Sequence, residues 1–337
     1  MTSFWNDLPQ PFFVLAPMEA VTDVVFRHVV KRAGAPDVFF TEFANATGWV
    51  HAGDRAIAGR LIKTDDEYPL VAQIWGGEPG DMEQFAQHCA RLGFAGIDIN
   101  MGCPAKSAIK SGGAALIRNP DVAVAAIAAA KAAGLPVSVK TRLGYSTVDE
   151  WRAWLTTLLQ QDIVNLTVHL RTKKEMSKVA AHYELIDDIV ALRDAIAPQT
   201  LLTINGDIRD RAHGMALVAA HPGVNGVMIG RGVFADPFCF APSADDAVQG
   251  AQLATPAQSA DSLAQRNFAL LRYHLDLFDH WQPRLGRPYE TLKRFYKIYI
   301  RDFDGAKELR DQLMHTTSTD EARRVIHQWH ETMRTSE

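Results

Sequence analysis

Short apolar segments alternate with longer amphipathic segments over roughly the first 240 residues of this chain. The apolar segments are five to eight residues long and rich in Val, Ile, Leu and Phe. This composition is typical of parallel strands that are covered on both faces. We therefore predict eight strands, at residues 12–18, 38–44, 70–75, 96–101, 136–143, 163–170, 201–206 and 226–230.

The segments between these strands carry apolar residues every three or four positions, which is the period of a helix with one buried face. Residues 81–93 show this spacing and end at Gly93, a common helix stop. Asn119 followed by Pro120 suits the start of another helix. The predicted helices include residues 81–93, 119–134, 184–197 and 209–220.

Eight strand–helix units predict an α/β fold, namely a (β/α)8 TIM barrel. An open, doubly wound sheet is the alternative, but it expects a glycine-rich segment after the first strand, where this chain has Ala-Pro-Met-Glu at 16–19. Barrels carry their functional side chains at the carboxyl ends of the strands. Polar residues occupy these ends here: Glu19, Glu42, Gln73, Asn100, Cys103, Lys140, Arg142, His169, Arg171, Asn205, Asp207 and Arg231.

The composition changes after the eighth predicted strand. Residues 242–259 are rich in turn formers and predict a linker, and helices without strands are predicted at 259–281, 289–303 and 305–333. We therefore expect two domains, a catalytic barrel at residues 1–243 and a small α-helical domain at residues 256–337.

Composition narrows the class of protein. The chain is 47% hydrophobic and 22% charged with a net charge of −4, which is ordinary for a globular protein. Its three cysteines form no CxxC pair, so we expect a reducing compartment and no structural metal site. The N-terminus lacks the pattern of a secretory signal and no apolar run is long enough to span a bilayer. We expect a cytoplasmic protein without a membrane partner.

The end of the fourth predicted strand is the most informative segment. It places the carboxamide of Asn100 and the thiol of Cys103 three positions apart, and Pro104 stiffens the chain directly after them. A thiol held there can give up or take a proton in an enclosed pocket. A small buried hydrophobe is the structural alternative for such a cysteine.

Other strand ends suit a flat anionic ligand. Lys140 ends an apolar strand, where its ammonium could meet negative charge on a reduced flavin, form a Schiff base or pair with a rim carboxylate. Gln73 both donates and accepts, which fits the pyrimidine edge of a flavin. The last two strands, where barrels commonly hold phosphate, are followed by Asn205-Gly206-Asp207 and Gly230-Arg231, while His169 and Arg171 suit a phosphate or a polar ring edge.

The C-terminal segment has a local cluster of cations and aromatic residues. Lys293, Arg294, Lys297 and Arg301 alternate with aromatic side chains, an arrangement that suits an RNA backbone, although the aromatic positions also fit a helix core. Residues 256–337 as a whole contain 13 basic and 12 acidic residues, so the excess is local.

Taken together, these residues resemble the tRNA-dihydrouridine synthase family nearly from end to end. The motifs that carry the resemblance are Ala16-Pro-Met-Glu19 with Thr22-Asp23, Gln73, Asn100-Met-Gly-Cys-Pro-Ala-Lys106, Ser111 to Pro120, Val137 to Gly144, His169-x-Arg-Thr172, Asn205-Gly-Asp207, Met228-Ile-Gly-Arg-Gly232, Leu292-Lys-Arg and Tyr299-Ile-Arg. The sequence departs from the family at Leu170, where a glycine is usual, at 111–114, which has fewer glycines, and at 173–178, which leaves open which uridine is selected.

The resemblance implies a flavin-dependent reductase that carries FMN, is reduced by NADPH or NADH, and acts on a uridine in the D-loop of tRNA. Hydride would pass from flavin N5 to uracil C6, and Cys103 would protonate C5. No stable protein partner is implied. The implied cofactor residues are Pro17, Met18, Glu19, Gln73, Lys140, His169, Asn205, Gly206, Asp207, Gly230 and Arg231. The implied substrate residues are Asn100, Lys106, Arg142, Arg171, Lys293, Arg294, Lys297 and Arg301.

Three other hypotheses remain open at the level of sequence. The chain could be an FMN barrel acting on a small-molecule enone or pyrimidine, an aldolase-type barrel using Lys140, or a tRNA-binding protein with a vestigial barrel.

Overall fold

The structure is a computed structural model that describes residues 3–242 and 260–334. Within these ranges nine strands form a single parallel sheet. The strands are β1 (Phe12–Leu15), β2 (Phe39–Phe40), β3 (Ala44–Asn45), β4 (Leu70–Trp75), β5 (Gly96–Met101), β6 (Val137–Arg142), β7 (Asn165–His169), β8 (Leu201–Asn205) and β9 (Gly226–Ile229).

The sheet closes on itself. Its strand order is β1-β9-β8-β7-β6-β5-β4-β2, and β3 pairs with β4 beside this path. The two ends meet through a parallel bridge between Val14 and Val38, where the Val38 amide donates to the Phe13 carbonyl at 3.2 Å. The predicted (β/α)8 barrel is therefore confirmed.

The second predicted strand, 38–44, is shorter in the structure than expected. Only β2 and β3 join the sheet there, and both pair with β4. Between β2 and β3 the Thr41 hydroxyl accepts a hydrogen bond from the backbone amide of Gln73 at 3.0 Å, so a side chain replaces a backbone partner. Such side-chain competition interrupts a ladder without leaving the amide unpaired.

Helices separate the strands. They are α1 (Val24–Gly34), α2 (Ala46–Ala52), α3 (Asp54–Ile57), α4 (Pro79–Arg91), α5 (Pro120–Lys131), α6 (Trp151–Leu159), α7 (Ile186–Ile196), α8 (Arg211–Ala220) and α9 (Gly232–Ala235). Pro79 and Pro120 stand in the first turns of α4 and α5, and the Asp210 carboxylate caps α8 by accepting the His213 amide at 2.8 Å. Proline is favoured there because it lacks an amide that would otherwise be unpaired, and Asp is favoured because its carboxylate accepts one of the free amides.

Aromatic side chains fill the amino-terminal end of the barrel. Phe4 and Trp5, from a 3-10 turn at Phe4–Asp7, pack in one apolar cluster with Phe12 and Phe40. Gly226 lies opposite Phe12, and a Cβ there would come within 2.2 Å of the Phe12 ring. The packed end leaves the carboxyl ends of the strands as the place where a site can form.

The chain divides into two compact units. One comprises residues 1–23 and 36–231, and the other comprises 24–35 and 232–337. Helix α1 thus lies within the barrel sequence but belongs to the second unit. The predicted domains, 1–243 and 256–337, follow the linear sequence and do not include the assignment of α1 to the second unit.

The remaining helices of the second unit are α10 (Ala260–Leu285), α11 (Glu290–Lys293), α12 (Tyr296–Tyr299), α13 (Ala306–His315) and α14 (Thr319–Arg334). Phe26 of α1 stacks on Phe295 with ring centroids 4.9 Å apart. Residues 243–259 of the predicted linker lie outside the described ranges.

Two of the helices predicted in this unit are interrupted. Residues 289–303 form α11 and α12 because the Phe295 and Ile298 amides bond three residues back, which tightens the chain between them. Residues 305–333 break at Thr316, whose backbone is extended. Within the part of the chain described, no single helix could cross a membrane, and one bent pair, Ala108–Arg118 with Pro120–Lys131, could do so by length and composition only.

Replacing Trp5 with Ala should destabilise the barrel by about 3–5 kcal/mol, because it removes an indole that is 2% exposed and leaves a cavity in the apolar cluster. Urea denaturation measures the loss. Leu92→Ala is the control, since this side chain is 41% exposed and its truncation should cost under about 1 kcal/mol. Equal losses of stability in both variants would contradict the role given to the apolar cluster around Trp5.

Candidate active site

Cys103 lies directly after β5, on a loop that Asn100 holds in place. The Asn100 Oδ1 atom accepts the amides of Gly102 at 3.1 Å and of Cys103 at 2.9 Å. Gly113 packs against the other side, where its φ is 55° and a Cβ would lie 2.9 Å from the Cys103 carbonyl oxygen. The glycine after Ser111-Gly112 is therefore required both for its backbone conformation and for close approach.

The Cys103 side chain is half-buried, and its surroundings keep it protonated. Burial raises the pKa of the Cys103 thiol, and the Glu19 carboxylate acts in the same direction. The cations of Arg142 and Lys140 oppose this rise without reversing it. A thiol with a raised pKa is a proton donor at neutral pH rather than a nucleophile.

A chain of side-chain hydrogen bonds leads from the barrel interior to this loop. Asp98 Oδ2 accepts from Gln73 Nε2 at 2.7 Å, and Gln73 Oε1 accepts from Asn100 Nδ2 at 3.0 Å. Because a carboxylate can only accept, Asp98 fixes which end of the Gln73 amide faces it, and Gln73 fixes Asn100 in turn. The amide oxygen of Asn100 is thereby directed at the Cys103 loop.

Asp98 is a residue of this site to which the sequence analysis gave no role. It is fully buried and also accepts the Ser138 hydroxyl at 2.6 Å. Burial raises its pKa to about 6, although the bonds from Ser138 and Gln73 oppose the rise. The signal in the sequence was its position two residues before Asn100 on a strand, which places both side chains on one face.

Lys140 lies opposite Asn100 on β6, and its ammonium donates to Asn205 Oδ1 at 3.2 Å. Asn205 is held in turn by donating to the Met228 carbonyl at 2.8 Å. Burial, together with the nearby Arg142, lowers the pKa of Lys140 to about 8. The amine is therefore mostly charged at neutral pH and has donors left for an anionic or polar ligand.

His169, Arg171, Asp207 and Arg231 form a second cluster at the ends of β7, β8 and β9. Arg171 Nη1 donates to His169 Nε2 at 3.3 Å, and its Nη2 pairs with Asp207. Arg231 Nη2 binds the other Asp207 oxygen at 3.0 Å. Burial and the surrounding cations hold the pKa of His169 well below its usual value, so the imidazole is neutral and presents its other nitrogen as a donor.

The two buried arginines, Arg142 and Arg171, also donate to backbone carbonyls of the neighbouring loops. Arg142 donates to Gly102 at 2.7 Å, to Thr172 at 3.1 Å and to Met176 at 3.0 Å. Arg171 Nε donates to the Val179 carbonyl at 2.7 Å. Their predicted contact with substrate stays a prediction, and what the structure shows is that they brace two loops.

The remaining predicted residues of the barrel occupy the rim. Pro17 is buried and Met18 half-buried, with the Met18 amide bound to the Thr22 hydroxyl at 2.9 Å. Glu19 is exposed and pairs with Arg60, a partner the sequence did not indicate. Lys106 is exposed on the loop after Cys103.

The predicted cations of the helical unit fall into two groups. Lys293, Arg294 and Lys297 line a pocket of about 530 Å³, together with Lys307 and Arg310, and five of its nine lining residues are basic. Arg301 is not among them, because it bonds to Asp302 at 2.6 Å and to the Ala235 carbonyl.

The barrel mouth fits a flat, polar, phosphate-bearing cofactor. Lys140, Arg142, Arg171 and Arg231 outnumber the carboxylates they meet, and Arg231 keeps 65% of its side chain exposed. Within residues 3–242 and 260–334, Gln73, Lys140 and His169 each keep a side-chain N–H that no acceptor binds, and all three lie on one rim. Gly206, at a φ of 130°, allows the backbone to pass close to His169.

Comparison with known proteins decides the family. The family model described as dihydrouridine synthase (Dus) matches residues 14–334. The chain belongs to the dihydrouridine synthase family.

Relatives in this family share most of the chain. It is 55% identical over 326 residues to the probable tRNA-dihydrouridine synthase 2 of Bacillus subtilis, covering 96% of this chain and 95% of the relative. It is 51% identical to a probable tRNA-dihydrouridine synthase of Staphylococcus aureus, covering 96% and 94%. The resemblance read from the motifs is thus confirmed, as is the prediction of an oxidoreductase.

Solved structures show more distant likenesses. A variant of NCR from Zymomonas mobilis is 14% identical, with a TM-score of 0.45 and coverage of 70% of this chain and 89% of that one. A nitroalkane oxidase from Streptomyces ansochromogenes is 15% identical, with a TM-score of 0.39 and coverage of 72% and 71%.

Replacing Asp98 with Asn should give a protein whose stability, compared with that of wild type, increases as the pH rises. Because the pKa of Asp98 is about 6 in the folded protein and 3.8 in a model compound, folding loses stability as the pH rises through this window. The variant lacks this loss and should gain about 2 kcal/mol relative to wild type between about pH 4.5 and about pH 7.5, measured by urea denaturation.

Asp98→Ala is the matched control. It leaves the Gln73 side-chain amide and the Ser138 hydroxyl without their buried acceptor, so it should be about 1–3 kcal/mol less stable than Asp98→Asn at every pH, since neither variant titrates at this position. A constant stability difference between Asp98→Asn and wild type across the window would contradict the raised pKa.

Proposed function

We propose that this protein is a tRNA-dihydrouridine synthase that reduces the C5=C6 bond of a uridine in the D-loop of tRNA, with FMN as cofactor and NADPH or NADH as reductant. The observation that carries the proposal is the place of Cys103, whose backbone amide donates to Asn100 Oδ1 at 2.9 Å at the mouth of a barrel whose family is established. The names of the relatives in Bacillus and Staphylococcus support the substrate.

The cofactor would be held along the rim from β4 to β9. Gln73 and Lys140 would hold the pyrimidine edge, with the orientation of the Gln73 amide fixed by Asp98. Pro17, Met18 and Glu19 would line the ring. His169, Asn205, Gly206, Asp207, Gly230 and Arg231 would hold the ribityl and phosphate end, where Asp207 sets the spacing of two arginines.

Bound FMN would supply the hydride for uracil C6, with NADPH or NADH as the source of reducing equivalents. Cys103 gives its proton to uracil C5 and recovers one from solvent, so the double bond gains two hydrogens. Asn100 holds the thiol in position through the Cys103 amide. The site protonates rather than attacks the base, because burial disfavours the thiolate.

The base must leave its stack to reach this pocket, because the thiol lies at the end of a buried strand. The uridine and its flanking nucleotides would meet Asn100 and Lys106 at the mouth. Arg142 and Arg171 would act on them through the loops that they brace. The helical unit would bind the RNA backbone through Lys293, Arg294 and Lys297 in the basic pocket, and through Arg301 outside it.

Cys103→Ala should slow the oxidation of the reduced flavin by tRNA about 10²–10⁴-fold, because the proton donor is lost. The flavin absorbance in a stopped-flow experiment measures the rate, and tRNA affinity should be unchanged. Cys89→Ala is the control, since Cys89 is buried on α4 and should keep the wild-type rate.

Free uridine serves as the second substrate in the same experiment. It should oxidise the reduced enzyme far more slowly than tRNA. Equal rates with both substrates would favour a small-molecule reductase, and a Cys103→Ala variant that turns over at the wild-type rate would exclude the proton-donor role.

Removing two lysines from the basic pocket should weaken tRNA binding in a salt-dependent manner. Lys297→Ala with Lys307→Ala should reduce the slope of log affinity against log salt by about 2, because two phosphate contacts are lost. Fluorescence anisotropy with labelled tRNA measures it. The control pair is Arg284→Ala with Arg324→Ala, two exposed cations of the same unit outside the pocket, and an equal effect of this pair would contradict a specific role of the pocket.

A further inference from the structure

A lysine-rich loop follows β7 at the mouth of the barrel. This lysine loop, residues 172–182, reads Thr-Lys-Lys-Glu-Met-Ser-Lys-Val-Ala-Ala-His. Lys174 and Lys178 are exposed, Lys173 is half-buried, and Met176 and Val179 expose 44% and 42% of their surface. The loop therefore presents both cations and apolar surface to solvent beside the candidate active site.

The backbone of the lysine loop is fixed although its side chains are exposed. The buried guanidiniums of Arg142 and Arg171 bind the carbonyls of Met176 at 3.0 Å and Val179 at 2.7 Å. On the neighbouring loop, the Tyr145 carbonyl accepts the Lys174 amide at 2.9 Å. A loop pinned in this way loses little conformational entropy when it binds a partner.

The single carboxylate of the lysine loop does not neutralise its lysines. Glu175 accepts the Thr172 amide at 2.7 Å and pairs with His182 at 3.0 Å. Among residues 3–242 and 260–334, no carboxylate lies within ion-pair distance of the ammonium groups of Lys173, Lys174 and Lys178. Glu175 therefore stabilises the backbone of the lysine loop, and the three lysines keep their positive charge for a partner.

The neighbouring loops extend this charged surface. Residues 102–118, which contain the Cys103 loop, include Lys106, Lys110 and Arg118 and no acidic residue. Tyr145 lies between them and the lysine loop, with the Arg118 guanidinium 5.1 Å and the Lys173 ammonium 4.8 Å from its ring centroid. Six cations and one carboxylate thus occupy these two loops of a chain whose net charge is −4.

We propose that the lysine loop, with Tyr145, is a second RNA-binding surface of this protein, which holds the strand flanking the target nucleotide at the mouth of the barrel. Lys174 and Lys178 bind phosphates, and the exposed Met176 and Val179 contact a base or ribose. This inference rests on the proposed function, because it takes tRNA as the substrate. Cations interspersed with apolar and aromatic surface are the chemistry that binds unpaired RNA.

The test is the double variant Lys174→Ala with Lys178→Ala. Its affinity for an unmodified tRNA transcript, measured by fluorescence anisotropy at several salt concentrations, should be about tenfold weaker at moderate salt, with a salt slope smaller by about 2. The control pair is Lys63→Ala with Arg91→Ala, which removes one cation from the loop before β4 and one from the last turn of α4 before β5, at the opposite end of the barrel, and should leave both quantities unchanged.

Charge-conserving variants separate binding from folding. Lys174→Arg with Lys178→Arg should restore wild-type affinity, since the contacts are made to phosphates. The inference is overturned if the alanine pair binds tRNA as tightly as wild type does. It is also overturned if the control pair lowers the affinity for tRNA as much as the alanine pair does. A failure of the proposed function gives a different result. In that case tRNA does not oxidise the reduced flavin of the wild-type enzyme, whatever the affinities of the variants for tRNA.

Discussion

The candidate site depends on a carboxylate buried in the barrel. Asp98 can only accept hydrogen bonds while it is ionised, so it sets the direction of the Gln73 amide, which sets that of Asn100. Asn100 then holds the backbone of Cys103. A single acceptor of fixed polarity inside the barrel thereby determines how polar groups on three neighbouring positions of the rim face a ligand, and packing alone could not impose that direction.

The arginines of the mouth complement this arrangement. Arg142 contacts both the Cys103 loop and the lysine loop, so one guanidinium connects the loop of the proposed proton donor to the proposed RNA surface. Because burial lowers its pKa only to about 10, Arg142 keeps its charge at neutral pH. Desolvating such a group is costly, and three carbonyl partners offset that cost. The same residue therefore contributes to the geometry of the thiol and to the order of the loop.

Much of this could be predicted from the sequence, for identifiable reasons. Strand β5 was predicted with its observed bounds because its apolar run ends abruptly at Gly102 and Pro104. The family followed from ordered motifs. Asp98 was given no role because an acid inside a strand does not show its partners, Gln73 and Ser138, which come from distant parts of the chain. The bracing role of Arg171 was equally hidden, because it depends on the path of a loop that has no periodic pattern.

Helix α1 has a consequence for how the protein can be divided. The chain enters the helical unit at residue 24, returns to the barrel at 36 and leaves it again after 231. A fragment that begins at residue 232 would lack α1, and Phe295 would lose the ring of Phe26 that stacks on it. Neither unit can therefore be excised by a single cut. Proteolysis or gene truncation near residue 232 would release an incomplete helical bundle with an uncovered apolar face.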